Sequence, residues 1–276
     1  MSATAWLHIA RNNAPLIVSL PHAGTEIPAP FADDLASPWL ALKDTDWWID
    51  QLYDAAPSLG ATVIRTAISR TVIDVNRDPS GVSLYPGQAT TELCPSMTFD
   101  GEPLYREGHG PAGVAGRRGK YFDPYHAALA AEIARLREKH AAIVVYDCHS
   151  IRSAIPRLFS GTLPQFSIGT NSGASCAREL SEAIAALCKS TGREPVVDVR
   201  FKGGFVTRSC GAPARGVHAV QMELACRAYL REPAQVEEAS WPPPYDPAFA
   251  APLRATLIQI LATCRDFAFA QTGAKP

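Results

Sequence analysis

The 276-residue chain lacks a strong net charge and the sequence features of a secreted or membrane protein. Its formal net charge is -1, so no overall field favours nucleic acid or an anionic membrane surface. The sequence predicts no apolar segment as long as a membrane span needs to be. Residues 1–15 lack the basic and apolar regions of a secretory signal. The sequence therefore predicts a cytoplasmic protein without nucleic-acid or membrane partners.

A disulfide framework is also missing. The seven cysteines are an odd number, are scattered, and include no C-x-x-C pair, which indicates free thiols in a reducing compartment. Internal repeats and low-complexity linkers are absent as well. With 47% hydrophobic and 19% charged residues, the composition is that of a folded soluble protein, and we expect a single domain spanning residues 1–276.

Apolar runs that alternate with helix-forming segments predict the fold class. Four segments have the length and apolarity of strands: 16–20, 61–69, 141–146 and 217–225. Four segments have the capping residues and composition of helices: 45–60, 123–140, 174–192 and 247–270. This alternation predicts an α/β fold, a single three-layer domain with a mostly parallel mixed sheet. Two segments rich in Gly and Pro, 80–119 and 199–216, have the length of functional loops.

Polar residues follow or interrupt the predicted strands, at positions where burial without a partner costs free energy. His22 comes after the first strand, Asp147 and His149 after the third, and Glu223 lies within the fourth. Two histidines and one carboxylate form the protein ligand set of a catalytic zinc, with the remaining position open to water. We expect His22 and His149 to bind a divalent metal, most plausibly zinc.

The third metal ligand is less defined by the sequence. Asp46, at the start of the predicted helix 45–60, is preferred, and Asp44 and Glu26 remain alternatives. Asp147 either caps a turn or orients the ring of His149 without binding the metal itself. Glu223 either pairs with an arginine or serves as the general base for a metal-activated water.

Several cations and one amide lie beside these strand ends. Their fork geometry or charge suits a small anionic substrate with more than one carboxylate. Arg77 is the first choice for a catalytic role. The predicted substrate-binding residues are Arg70, Asn76, Arg152, Arg157, Lys202 and Arg208.

Ten motifs follow one another over residues 16 to 230: SLPHAGTEIP, DTDWWIDQLY, SRTVIDVNRDP, YPGQATTELCP, TFDGEPLY, PYH, YDCHSIRSAIPRLFSGTLP, GTNSGASC, RFKGGFVTR and GVHAVQMELA. In these motifs and their order the sequence resembles the N-formylglutamate amidohydrolase family. The resemblance implies a metal-dependent fold related to the zinc exopeptidases. It also implies the functional order His22, Asp46, Asn76-Arg77, His149 and Glu223.

The resemblance further implies hydrolysis of N-formyl-L-glutamate to formate and L-glutamate, the last step of one bacterial route of histidine degradation. Two alternatives remain open from the residues themselves. One is a zinc amidohydrolase of another substrate, such as N-formylaspartate or an N-acylglutamate. The other is a non-catalytic protein that binds dicarboxylates. The sequence leaves open whether the protein is a monomer or a small homo-oligomer.

Overall fold

A seven-stranded mixed sheet forms the centre of the protein. The computed structural model describes residues 6–82, 87 and 91–271. Its strands are β1 (Leu7–Ala10), β2 (Leu16–Leu20), β3 (Thr62–Thr66), β4 (Ile143–Ile151), β5 (Phe166–Gly169), β6 (Val196–Val197) and β7 (Val217–Ala225). They lie in the order β1-β3-β2-β4-β7-β5-β6. The four neighbours β3, β2, β4 and β7 run parallel, whereas β1 and β5 pair antiparallel with β3 and β7.

Helices cover both faces of this sheet. They are α1 (Ala29–Ala32), α2 (Pro38–Leu42), α3 (Ile49–Leu52), α4 (Val114–Arg117), α5 (Asp123–Arg137), α6 (Arg178–Ser190), α7 (Phe205–Cys210) and α8 (Pro247–Ala270). Helices α3, α6 and α8 share one apolar core with alternate residues of β2, β4 and β7, and α5 and α7 share a second core with the intervening residues. The three-layer α/β fold predicted from the sequence is confirmed.

Several predicted elements differ from the structure. The strand predicted at 141–146 begins two residues later and continues to Ile151, so its polar residues lie inside β4 and not after it. The helix predicted at 45–60 is wrong, because only the single turn α3 and a 3-10 turn at Ala56–Leu59 form there. Trp48, directly before α3, has a φ of 61°, and Pro57 lies in the 3-10 turn, so a continuous helix is interrupted.

Helix α8 also corrects an expectation from the sequence. By length and composition this 24-residue helix is apolar enough to cross a membrane, although no such segment is identified from the sequence. In the structure it packs against the sheet and α6, with Leu253, Leu257, Ile260 and Cys264 in the core. Its apolarity is therefore accounted for in part by burial within the protein.

Candidate active site

The candidate site is built on one face of β4. Because side chains alternate along a strand, Ile143, Val145, Asp147 and His149 share this face. The first two pack in the core beneath α5, and the last two extend the same face beyond it. Cys148 points the other way and is fully buried in the opposite core, as expected from the sequence.

Three predicted ligands converge at the end of this face. The Nδ1 atoms of His22 and His149 are 3.1 Å apart, and they lie 3.7 and 3.2 Å from Oδ2 of Asp46. All three side chains are buried. The backbone N–H of Asp46 donates to the carbonyl of His22 at 3.1 Å, which places the carboxylate next to the end of β2. Two imidazole nitrogens and a carboxylate oxygen around one point form a donor set that fits a zinc ion with three protein ligands.

A second carboxylate lies behind each histidine. Asp74 is 2.6 Å from Nε2 of His22, and Asp147 is 3.0 Å from Nε2 of His149. An Nε2–H that donates to each carboxylate leaves the Nδ1 lone pair for a metal and holds the ring in place. Asp147 therefore has the geometry of an orienting residue. It is held in turn by the Ser19 hydroxyl, which donates to its Oδ1 at 2.9 Å.

Asp74 is a site residue that the sequence analysis missed. It contacts three positively charged or chargeable groups: Nε2 of His22, Nη2 of Arg70 at 2.7 Å and Nε of Arg77 at 3.5 Å. Burial opposes the charged form of Asp74, but these neighbours outweigh burial and hold its pKa well below the usual range. The signal in the sequence is an acid within the apolar run 72–75, the same type of signal as Glu223.

The alternatives for the third ligand have other partners. Asp44 accepts a hydrogen bond from the backbone of Phe99 at 2.6 Å and pairs with Arg152 at 3.1 Å. Glu26 has an exposed side chain, and its backbone pairs with that of Ile68. Neither belongs to the cluster of potential ligands, which contains Asp46.

Glu223 lies beside the triad on the neighbouring strand. In the parallel pairing of β4 and β7 it is directly opposite His149, and its side chain is buried. Its Oε2 accepts a hydrogen bond from Nε2 of Gln221 at 3.1 Å. Burial is the main cause that raises the pKa of Glu223 to about 7. A carboxyl group with such a pKa suits proton transfer near neutral pH. None of the ion pairs between described residues includes Glu223, although the positive charge of Arg70 lowers its pKa in part.

An open cleft begins at these residues. It contains about 570 Å³ of empty space, open solvent included. Among the described residues, the guanidinium-bearing side chains that line it are those of Arg70, Arg77 and Arg200. Arg70 donates to Asp74 and Asp46 and lies 4.8 Å from the centre of the Phe99 ring. Both carboxylates neutralise Arg70, and one of them, Asp46, is a candidate metal ligand.

Arg77 is less constrained at its tip. Its Nε donates to Thr91 at 3.1 Å and lies near Asp74, while its terminal nitrogens have no hydrogen-bond partner within the described part of the chain. Thr91 belongs to the long loop 80–119 and also lines the cleft, as does Phe99. Residues 83–86 and 88–90 of that loop lie outside the described residues.

The other predicted substrate-binding residues have different positions. Asn76 reaches the cleft, but its amide is committed: its Nδ2 donates to Asp147 at 3.2 Å and its Oδ1 accepts from the backbone of Val206 at 2.7 Å. Four predicted cations are not among the described residues that line the cleft: Arg152, Arg157, Lys202 and Arg208. The role of these four residues in substrate binding stays a prediction.

Local contacts explain the positions of three of these four cations. Arg152 is buried between Asp44 and Asp100, at 3.1 and 2.8 Å. Arg157 is exposed and donates to the carbonyl of Phe99 at 3.4 Å. Arg208 donates to the carbonyl of Gly203 at 2.8 Å. By contrast, Arg200 lines the cleft although the sequence analysis did not select it. Its Nε donates to the carbonyl of Leu158 at 3.1 Å, a contact between residues far apart in the chain.

Comparisons with known proteins show what this chain is similar to. The family model for N-formylglutamate amidohydrolase matches residues 14–230 of the chain. An N-formylglutamate deformylase of Pseudomonas putida is 45% identical over 229 residues, which are 82% of this chain and 85% of the relative. An N-formylglutamate deformylase of Pseudomonas aeruginosa is 44% identical over 231 residues, 83% of this chain and 86% of the relative.

A solved structure agrees at the level of the fold. The crystal structure of N-formylglutamate amidohydrolase from Ralstonia eutropha JMP134 superposes with a TM-score of 0.76 and 24% identity. The superposition covers 96% of this chain and 98% of that chain. The order of strands and helices is therefore shared over nearly the whole length.

Proposed function

The chain belongs to the N-formylglutamate amidohydrolase family, and from this we propose that it hydrolyses N-formyl-L-glutamate to formate and L-glutamate with the help of a bound zinc ion. The observation that carries the metal dependence is the convergence of two Nδ1 atoms and one carboxylate oxygen at the head of the cleft. Membership of this family makes the protein an amidohydrolase, so a purely non-catalytic dicarboxylate-binding role is no longer a competing reading.

His22, Asp46 and His149 would hold the metal, with Asp74 and Asp147 fixing the two rings. A zinc ion bound there supplies polarisation of the formyl oxygen and a water molecule of lowered pKa. The remaining chemistry belongs to the side chains of this protein. Their arrangement before substrate binding reduces the reorganisation that the reaction requires.

Glu223 acts as the general base in this proposal. It takes one proton from the attacking water, the new C–O bond forms at the formyl carbon, and the C–N bond then breaks. Glu223 returns the proton to the nitrogen of the departing glutamate, so protons balance over the cycle. Its position opposite His149 and its pKa of about 7 support this role.

Arg77 binds a carboxylate of the substrate and adds positive charge close to the reacting carbonyl. Its Nε is held by Thr91 and Asp74, so its terminal nitrogens form a fixed fork beside the metal ligands. A bidentate contact of this kind orients the substrate and cannot be reproduced by lysine.

We also propose that the protein acts in the cytoplasm as a single domain. All seven cysteines are free, which suits a reducing compartment. Helix α8 packs on the same sheet that carries the candidate site, so residues beyond the family match contribute to one core.

The test of the proposed function is formate release from a panel of N-formyl amino acids, with and without a chelator. We expect N-formyl-L-glutamate to be the best substrate, and activity to disappear with the chelator and return with zinc. Metal content should be about one ion per chain, reduced in Asp46→Asn and retained in the matched variant Asp44→Asn. No formate release by metal-loaded protein would refute the proposal.

A further inference from the structure

We propose that Arg200 selects the substrate by binding its side-chain carboxylate, while Arg77 binds the α-carboxylate. This inference rests on the proposed function, because it assigns two carboxylates of N-formylglutamate to two arginines of the cleft. The assignment follows from the contacts that each arginine makes within the cleft.

The covalent structure of the substrate sets the order of its charged groups. From the formyl carbon, the α-carboxylate carbon is reached through the nitrogen and Cα alone. The side-chain carboxylate is separated by two further methylene groups. Once the formyl group lies at the metal, the α-carboxylate must therefore lie nearer to the metal ligands than the side-chain carboxylate does.

Arg77 occupies the nearer position. Its Nε is 3.5 Å from Asp74, and Asp74 contacts the ring of His22 at 2.6 Å. A single carboxylate thus separates Arg77 from a proposed metal ligand. Arg70 is nearer still, but it is bound to both Asp46 and Asp74 and is buried, so its charge is already neutralised by the protein.

Arg200 lies on a different, apolar wall of the same cleft. Its Nε donates to the carbonyl of Leu158 at 3.1 Å, and its guanidinium is 5.2 Å from the centre of the Phe201 ring. Leu158 and Phe201 pack against an apolar cluster that also contains Ile151, and all three residues line the cleft. This wall offers apolar contacts for methylene groups and a cation beside them, which suits the chemistry of a glutamate side chain.

The apolar wall and the cation predict discrimination by charge. N-formyl-L-glutamine has nearly the same shape as N-formyl-L-glutamate but an uncharged side-chain amide. A site that pairs a guanidinium with the side-chain carboxylate favours the charged substrate. The α-carboxylate is identical in the two compounds, so Arg77 cannot contribute to that preference.

The experiment compares kcat/KM for these two substrates in four zinc-loaded proteins. In wild type we expect a clear preference for N-formyl-L-glutamate. Arg200→Met should reduce the preference by roughly 10- to 100-fold, the usual worth of a charge-assisted hydrogen bond. Arg77→Met should lower kcat/KM for both substrates and leave their ratio unchanged. Arg178→Met, which removes an exposed arginine far from the cleft lining, should change neither value.

A second measurement is independent of turnover. Arg200→Met should weaken binding of L-glutamate in calorimetry and leave binding of L-glutamine unchanged, and Arg200→Lys, which keeps the charge, should fall between wild type and Arg200→Met. The inference is overturned if wild type prefers N-formyl-L-glutamate and folded Arg200→Met or Arg200→Lys shows the wild-type ratio. A wild-type protein that hydrolyses neither substrate would instead refute the proposed function.

Discussion

Replacing Glu223 by glutamine separates the catalytic and structural roles of this acid. Glutamine has nearly the same shape, and its side-chain oxygen can still accept the hydrogen bond that Gln221 donates to Oε2 of Glu223 at 3.1 Å. The substitution therefore removes the ionisable group and keeps the local packing. If Glu223 is the general base, kcat should fall by roughly 10²- to 10⁴-fold, and the metal should remain bound.

The same substitution should raise the free energy of unfolding of the metal-free protein at alkaline pH, although it lowers the rate. The ordinary pKa of this carboxyl is 4.5, and burial is the main cause that raises it to about 7 in the folded protein. Below pH 4.5 both the folded and the unfolded states keep the proton, so the glutamate carries no ionisation penalty. Above pH 7 both states have lost it, and the penalty in the folded state reaches an upper limit on the order of 3 kcal/mol. Glu223→Gln should thus be more stable than wild type at pH 8 and similar to it at pH 4.

Two measurements on the same samples check this reasoning. The first is kcat of zinc-loaded protein, with metal content measured in parallel. The second is the free energy of unfolding of metal-free protein in denaturant at pH 4 and pH 8. A variant that is less stable at pH 8 and turns over at a near-normal rate would show that Glu223 is a structural residue. A folded, zinc-loaded and nearly inactive variant is the expected result.

Four further substitutions probe the surroundings of the proposed metal site. His22→Ala and His149→Ala should each lose the metal after dialysis, because each removes one of three protein ligands; full occupancy would exclude that histidine. Asp74→Asn should weaken zinc binding by roughly 10- to 100-fold in a chelator competition, since the ring of His22 loses its carboxylate partner, and unchanged affinity would contradict this role. Gln221→Leu should lower kcat in wild type and have no further effect in the Glu223→Gln background, whereas equal losses in both backgrounds would show that Gln221 acts independently of Glu223.

The fold class and the candidate metal ligands were accessible from the sequence for a common physical reason. A long apolar run can only be a buried strand or helix, and an acid or histidine within it or at its end must have a partner. That logic selected His22, His149 and Glu223, and it predicted strands β2 and β7 with the bounds seen in the structure. The same logic applied to residues 72–75 would have selected Asp74 as well.

What the sequence could not decide were the distances between residues far apart in the chain. Asp46 and Asp44 differ by two positions, and only the fold shows that one meets the histidines while the other pairs with Arg152. The same holds for the cations: a guanidinium beside a strand end binds a substrate only if no carboxylate of the protein has already neutralised it. Arg70 is neutralised in this way. Arg200 lines the cleft, and its contact with Leu158 joins residues far apart in the chain. Local pattern thus determines which groups are buried, and long-range packing determines which of them remain available to a ligand.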